Sequence, residues 1–251
     1  MMALSTSPPH FFVHKAIGET PLEALDRARR VHGIPPETKL GYAGRLDPME
    51  SGLLLVLVGD ENKHKKRYEQ WRKTYTVDIL FGISTDSHDI LGLITAMKRP
   101  TEVSPDFSSD WSRWLGVHDM QYPVYSAKRV QGKPLFWWAR RDKLAEISIP
   151  HADVELFEIR ECARYTLSGQ QILRHVRDTI PLVHGDFRQD AVMQSWQKAM
   201  QDVSDVSYPV VRISVTCGPG TFMRWLAVAI GQSCGYPACA WSIERTALFF
   251  S

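Results

Sequence analysis

A glycine-rich loop that carries one acid and one arginine, followed at once by an apolar run, constrains this chain most. The loop reads Gly41-Tyr42-Ala43-Gly44-Arg45-Leu46-Asp47-Pro48-Met49-Glu50-Ser51-Gly52, and its glycines allow turns that bulkier residues avoid. The next residues, Leu53-Leu54-Leu55-Val56-Leu57-Val58, have the length of a buried strand. Loops anchored to a rigid scaffold carry much of protein chemistry, so a reactive Asp47 is one interpretation. An isolated Asp-Pro pair is more often a plain turn, in which Asp47 only caps the backbone before Pro48.

Composition indicates a soluble protein with an ordinary core. The 251 residues are 44% hydrophobic and 23% charged, which permits one large domain or two intertwined subdomains. The net charge of +2 does not by itself indicate a nucleic-acid binder. The four cysteines form no CxxC pair and predict free thiols. Met1 to His14 lacks a secretory signal, and no apolar run approaches a membrane span of about 20 residues. We therefore expect a cytoplasmic protein with no membrane partner.

An apolar helix near the carboxyl end contains one arginine that needs a partner. Val211, Ile213, Val215 and Cys217 alternate as in a strand, and Thr221 is predicted to cap a helix from Phe222 to Ile230. This helix is apolar almost all round, which predicts that it is buried. Burial of the Arg224 charge without a partner would cost roughly several kcal/mol, so a partner for this side chain is expected.

Two segments combine basic and aromatic side chains. Residues 61–73 hold six Lys or Arg against two Glu, with Tyr68 and Trp71 between them. Residues 123–141 have a similar mixture in a loop followed by a helix. Cations contact phosphates and aromatic rings stack on unpaired bases, so both segments are candidates for RNA binding. A solvated helix face and core packing remain the simpler alternatives.

Three other regions carry weaker signals. Asp86, His88 and Asp89 match no standard spacing of metal ligands, and turn chemistry explains them without a metal. Residues 99–118 predict a loop that leads into a short Trp-rich helix. The stretch 164–207 changes to mixed helix and polar loop, with Ala191 to Met200 helical, and is interpreted as an insertion or a peripheral element.

Several segments, in order, resemble the tRNA pseudouridine-55 synthase family, the TruB-type synthases. The Asp47 loop is similar to that family's catalytic loop, Gly-His-x-Gly-x-Leu-Asp-Pro. The resemblance extends from about Lys15 to Thr246, interrupted at 164–207. Its further motifs are Lys73-Thr74-Tyr75, Gly82-x-x-Thr85-Asp86-x-x-Asp89, Tyr125-Ser126-Ala127-Lys128 with Gly132-Lys133-Pro134-Leu135, Gly220-Thr221-Phe222-Met223-Arg224, and Arg245-Thr246.

The resemblance implies an α+β fold, with a mostly antiparallel central sheet flanked by helices and RNA-binding loops around one cleft. Residues 1–251 are then expected to form a single catalytic domain with an atypical insertion at about 164–207 and no separate C-terminal PUA domain. Asp47 would be the nucleophile, Tyr75 would lie against the target uracil, and Arg224 would pair with Asp47 and keep it ionised. Substrate contacts are implied for Lys15, Tyr42, Gly44, Arg45, Leu46, Lys128, Lys133 and Phe222.

The implied reaction is the isomerisation of uridine to pseudouridine in the T-arm loop of tRNA. One C–N bond is broken and one C–C bond is made without any redox change, so no cofactor and no metal are expected. The nucleotide must leave the base stack, which costs roughly a few kcal/mol. Contacts from the basic and aromatic segments would offset this cost. RNA is the expected partner, and the protein is expected to be a monomer.

The chain departs from the family pattern at three positions. Tyr42 stands where the family usually has histidine, Phe222 where it usually has tyrosine, and Ala16 follows Lys15 where a proline is usual. Two alternatives stay open: a guide-RNA-dependent synthase, against which the expected lack of a C-terminal domain argues, and a catalytically degenerate protein that binds or folds RNA.

Overall fold

An eight-stranded, mostly antiparallel sheet forms the centre of the computed structural model, which describes residues 8–99 and 110–250. Its strands lie in the order β1-β3-β12-β4-β11-β10-β7, with β2 paired to β3, and two separate hairpins pair β5 with β6 and β8 with β9. The pairing of β3 with β12 is parallel, as is an isolated bridge between Asp89 and Ala240, and the other strand pairings within these ranges are antiparallel. The predicted α+β class is confirmed. The strands are β1 (His10–Lys15), β2 (Leu40–Ala43), β3 (Glu50–Val58), β4 (Arg72–Phe81), β5 (Ile83–Thr85), β6 (Ile94–Met97), β7 (Gly116–Gln121), β8 (Arg129–Val130), β9 (Lys133–Pro134), β10 (His151–Ser168), β11 (Ser207–Cys217) and β12 (Ala238–Phe249).

Helices cover the sheet and connect its strands. The α-helices are α1 (Pro21–Val31), α2 (Lys65–Glu69), α3 (Leu135–Ala139), α4 (Gly169–Thr179), α5 (Gln189–Met200) and α6 (Met223–Ser233). Short 3₁₀ helices occupy Gly59–His64, Trp111–Trp114, Leu144–Glu146 and Ile180–Leu182. The predicted Trp-rich helix is therefore a single 3₁₀ turn, and the loop predicted before it falls mostly on residues 100–109, outside the described residues. Within the described ranges, no helix has the length and apolar character needed to cross a membrane.

The ends of two helices test the local sequence signals. Thr20 accepts a hydrogen bond from the backbone of Glu23, whose side chain accepts one from Thr20 N, so the capping box that begins α1 is present. The prediction that Thr221 caps α6 is wrong. Phe222 occupies that position, and the Thr221 hydroxyl donates instead to the carbonyl of Gly218.

One face of β4 packs against α6 and forms the core beneath the cleft. Tyr75, Val77 and Ile79 alternate on β4 and contact buried residues of α6 such as Leu226 and Ile230. Each fully buried aliphatic side chain contributes about 1.5–3 kcal/mol relative to exposure. This packing places Arg224, at the start of α6, under the mouth of the cleft.

The stretch 164–207 is part strand and part helix. β10 continues to Ser168 and β11 begins at Ser207, and these two residues pair directly. The prediction of helix and loop from residue 164 was therefore wrong for its first five residues, where β10 and β11 continue to pair. Between the strands, α4 and α5 pack on the sheet through Ile172, Val176 and Trp196, all fully buried. The predicted helix over 191–200 is confirmed within α5.

Candidate active site

A reciprocal pair of hydrogen bonds closes the turn that holds Asp47. The Glu50 backbone N–H donates to the Asp47 carbonyl at 3.0 Å. The Asp47 backbone N–H donates to the Glu50 carboxylate at 2.8 Å. Burial, followed by the charge of Asp47, raises the pKa of Glu50 to about 7. The sequence argument gave Glu50 no role, although its spacing of three residues from an aspartate is the spacing of a capping box.

Two buried, positively charged side chains donate hydrogen bonds to the backbone of this loop. Arg245 of β12 is fully buried and donates to the carbonyls of Leu53 at 2.7 Å and Gly44 at 2.9 Å. Lys15 is also fully buried, and its ammonium donates to the Glu50 carbonyl at 2.6 Å. Burial lowers the pKa of Lys15 to about 8. The loop position is thus fixed by side chains from both ends of the chain.

Arg224 pairs with Asp47 across 177 residues of sequence, and the predicted pairing is present. Its Nη2 lies 2.5 Å from Asp47 Oδ2. The same nitrogen donates to the Tyr125 carbonyl at 3.2 Å, and Nη1 donates to the Ser87 carbonyl at 2.6 Å. These contacts orient the guanidinium rigidly. Burial favours the neutral form of Arg224, but the nearby carboxylates favour the charged form more strongly. The pKa of Arg224 is therefore raised, and the side chain stays charged.

Asp89 provides a second carboxylate beside Arg224. Its Oδ2 lies 3.7 Å from Arg224 Nε. Its Oδ1 accepts hydrogen bonds from the Ser87 hydroxyl at 2.5 Å and from the Leu91 backbone at 3.0 Å. Burial raises the pKa of Asp89. A buried guanidinium between two carboxylates avoids the cost of an unpaired charge. The sequence argument placed Asp89 in a motif and missed this contact, because no local pattern links residues 89 and 224.

A cavity of about 410 Å³ opens above the Asp47–Arg224 pair. Several predicted site residues line it: Tyr42, Arg45, Leu46, Asp47 and Arg224. Tyr125 and Ser126, from the second basic and aromatic segment, line it as well. A half-buried Asp47 beside a fixed cation can act as a nucleophile on a group held in this cavity.

Tyr75 lies beneath the cavity wall in the hydrophobic core. It is 6% exposed and belongs to the same buried cluster as Leu46, which does line the cavity. Burial raises the pKa of Tyr75, so its hydroxyl stays protonated. Its predicted contact with a uracil stays a prediction.

The remaining predicted residues do not line the cavity. Gly44 has φ +73°, and a Cβ there would come within 3.3 Å of Arg245 and Lys73. The ring of Phe222 lies edge-on to Tyr122, at 5.8 Å between centroids. The exposed ammonium groups of Lys128 and Lys133 lie over the rings of Tyr122 and Trp137 respectively. Lys15 is placed under the loop, as described. Their substrate contacts remain predictions.

The acidic turn considered as a metal site is engaged in pairs with arginines. Asp86 binds Arg188 through both carboxylate oxygens, and Asp89 faces Arg224. Burial lowers the pKa of His88 to about 4, so this side chain is neutral near pH 7. All four cysteines are free, as the sequence predicts.

Comparison with known proteins connects this geometry to one family. Residues 29–177 match the model of the TruB family pseudouridylate synthase, N-terminal domain. The chain is 29% identical to the tRNA pseudouridine synthase B of Listeria welshimeri over 209 residues, covering 83% of this chain and 56% of that protein. It is 29% identical to the tRNA pseudouridine synthase B of Bacillus licheniformis over 238 residues, covering 94% and 63%. The chain thus spans about three-fifths of the length of these relatives.

Solved structures share the fold at low sequence identity. A Cbf5-Nop10-Gar1 complex matches with a TM-score of 0.55 and 14% identity, over 95% of this chain and 48% of that one. An H/ACA RNP bound to a substrate RNA containing 2'-deoxyuridine matches with a TM-score of 0.52 and 13% identity, over 95% and 47%. At this identity the likeness is one of fold.

Proposed function

We propose, since this chain belongs to the TruB family of pseudouridylate synthases, that it isomerises a uridine of RNA to pseudouridine with Asp47 as the nucleophile. The observation that carries the proposal is the Asp47–Arg224 pair at the base of the cavity. The hydrogen bond from Arg224 fixes the direction of the carboxylate, and the positive charge lies beside the oxygen that would attack.

In the proposed reaction Asp47 attacks either the ribose or the uracil ring of a flipped-out uridine. The bond from N1 to C1′ breaks, the ring turns, a bond from C5 to C1′ forms, and the bond that Asp47 made to the nucleotide breaks, which restores the free carboxylate. C5 loses its proton and N1 gains one, so atoms and charge balance without a cofactor. Tyr75, which packs in the same buried cluster as Leu46 of the cavity wall, would lie against the uracil ring from beneath and position it.

We propose the T-arm loop of tRNA as the substrate. The relatives named above are tRNA pseudouridine synthases, and both of the basic and aromatic segments hold cation–ring pairs. One places the ammonium of Lys65 5.0 Å from the ring centroid of Tyr42, and the other contains Lys128 and Lys133. Cations and aromatic rings together suit an unpaired, stacked-out nucleotide. The proposal includes one catalytic domain acting as a monomer in the cytoplasm, where tRNA is found.

The test replaces Asp47 by Asn and by Ala and measures tritium release from 5-tritiated uridine in a tRNA transcript. Loss of release with both variants is expected, and Asp26→Asn, an exposed carboxylate on α1, should behave as the unmodified protein. A transcript with cytidine at the T-arm loop position should release nothing. Undiminished release by either Asp47 variant would refute the assignment. Tight tRNA binding by the unmodified protein without any release would instead favour an RNA-binding protein that has lost catalysis.

A further inference from the structure

The loop 183–188, between α4 and α5, reaches the cavity that contains Asp47. Asp186, Phe187 and Arg188 line this cavity. The stretch 164–207, interpreted from sequence as an insertion or a peripheral element, therefore supplies part of the wall of the site. A periodicity argument could detect its helices but not the direction in which the connecting loop turns.

Contacts from two other elements fix this loop in place. His184 Nδ1 lies 2.6 Å from a carboxylate oxygen of Glu23 on α1. Arg140, immediately after α3, forms an ion pair with Asp186. The loop thus joins the first helix to the second basic and aromatic segment across one side of the cleft.

Arg188 is held by two hydrogen bonds and a ring contact. Its Nη1 and Nη2 donate to the two oxygens of Asp86 at 2.8 and 3.2 Å. The guanidinium carbon lies 4.2 Å from the ring centroid of Tyr125. Its backbone has φ +62°, a conformation that side-chain-bearing residues rarely adopt. About 21% of the side chain remains exposed.

Tyr125 connects this guanidinium to the Asp47–Arg224 pair. Tyr125 stacks on Arg188 through its ring and accepts a hydrogen bond from Arg224 through its carbonyl. Arg188 therefore lies on the cavity wall one residue away from the group that orients Asp47. Asp47 and Arg188 line the same cavity, so a nucleotide over Asp47 would face the wall that carries Arg188.

We propose that Arg188 binds a backbone phosphate of the RNA beside the target uridine, an inference that rests on the proposed function. A guanidinium has five N–H donors, and Asp86 takes one hydrogen from each Nη, which leaves donors for a further acceptor. Arginine matches phosphate oxygens with two parallel hydrogen bonds. Because Asp86 and Tyr125 already hold the side chain, little conformational entropy is lost when a phosphate binds.

The experiment measures the dissociation constant of a T-arm stem-loop RNA over a range of KCl concentrations, with tritium release measured in parallel. Arg188→Ala should raise the dissociation constant about three- to five-fold at about 0.15 M salt. In a plot of the logarithm of the dissociation constant against the logarithm of the salt concentration, the slope should become smaller by about 0.7–0.9, the value of one phosphate contact. Arg188→Lys keeps the charge and should restore most of the slope. Arg177→Ala, an exposed arginine of α4 outside the cavity wall, should leave both quantities unchanged.

Asp86→Asn separates this role from a merely structural ion pair. The amide oxygen can still accept from Arg188, which keeps its charge, so the salt slope should stay as in the unmodified protein. Equal effects of Asp86→Asn and Arg188→Ala, or an unchanged slope in Arg188→Ala, would refute the inference. Absent tritium release by the unmodified protein would refute the proposed function, while a reduced slope in Arg188→Ala would still support the phosphate contact.

Discussion

Replacing Glu50 by glutamine should make the stability of the protein less dependent on pH. The amide oxygen of the introduced side chain can accept the same hydrogen bond from the Asp47 backbone that the carboxylate accepts at 2.8 Å. What the substitution removes is a titrating group next to Asp47. In the folded protein burial and the Asp47 charge raise the Glu50 pKa from 4.5 to about 7.

The magnitude follows from proton linkage. The unfolded chain releases the Glu50 proton near pH 4.5 and the folded chain near pH 7, so between these values the unfolded state binds fewer protons. The free energy of unfolding therefore falls as the pH rises through this window, by about 1.4 kcal/mol per pH unit. Between pH of about 5 and about 8.5 the full effect would be about 2.5 kcal/mol. Because the side chain is partly exposed, we expect about 2 kcal/mol.

Urea unfolding of the two proteins at both pH values measures this effect. Groups that do not face Glu50 titrate alike in both proteins, so the change in their stability difference reports Glu50 together with its charged neighbours Asp47 and Lys15. Glu50→Gln should gain about 2 kcal/mol relative to the unmodified protein on going from the lower to the higher pH. Glu158→Gln, at an exposed position on β10, should show no such change. A stability difference that is the same at both pH values would show that the pKa of Glu50 is not raised in the folded protein.

Three further substitutions test how the loop and α1 are held. Arg245→Met leaves the Leu53 and Gly44 carbonyls without their donor and should cost about 3 kcal/mol or more in urea unfolding, and a loss below about 1 kcal/mol would contradict this support. Gly52→Ala would bring a Cβ within 2.2 Å of the Arg245 carbonyl and should lower the midpoint of thermal unfolding well below that of Gly33→Ala, where a Cβ meets open space; equal midpoints would contradict the steric argument. Thr20→Ala removes the capping box of α1 and should lower the free energy of unfolding by about 1 kcal/mol. The dependence of that free energy on urea concentration should stay the same, and a change in it would contradict a purely local effect.

Much of the sheet could be predicted because its signals are local. The alternation of Tyr75, Val77 and Ile79 predicts a strand with these residues on one buried face, and β4 places them in one core cluster. The other face, predicted from Thr74, Thr76 and Asp78 to be polar, is buried as well at Asp78 and Leu80. The capping box at Thr20 is likewise contained within four residues. The predicted cap of α6 was wrong because the Thr221 hydroxyl donates to the Gly218 carbonyl and α6 begins one residue later, after Phe222.

The site could be predicted only in part because its members meet through tertiary contacts. Asp47 and Arg224 could be paired on a family resemblance and on the cost of burying an arginine. The contact between Arg224 and Asp89, and the turn of the 183–188 loop into the cavity, depend on how separate elements pack. No periodicity or spacing within one segment contains that information.

The position of β12 has a consequence for the order in which this protein can fold during synthesis. β12 lies between β3 and β4, although both of those strands are complete by Phe81 and β12 begins only at Ala238. Until β12 leaves the ribosome, a nascent chain therefore exposes one edge of β4 and the first residues of β3, whose later residues pair with β2. Unpaired edges are prone to aggregation. Because β12 carries Arg245, the Asp47 loop cannot be locked in place before that moment. Pairing over such long sequence separations predicts slow folding, so chaperones that shield the first half of the chain should raise the yield of active protein.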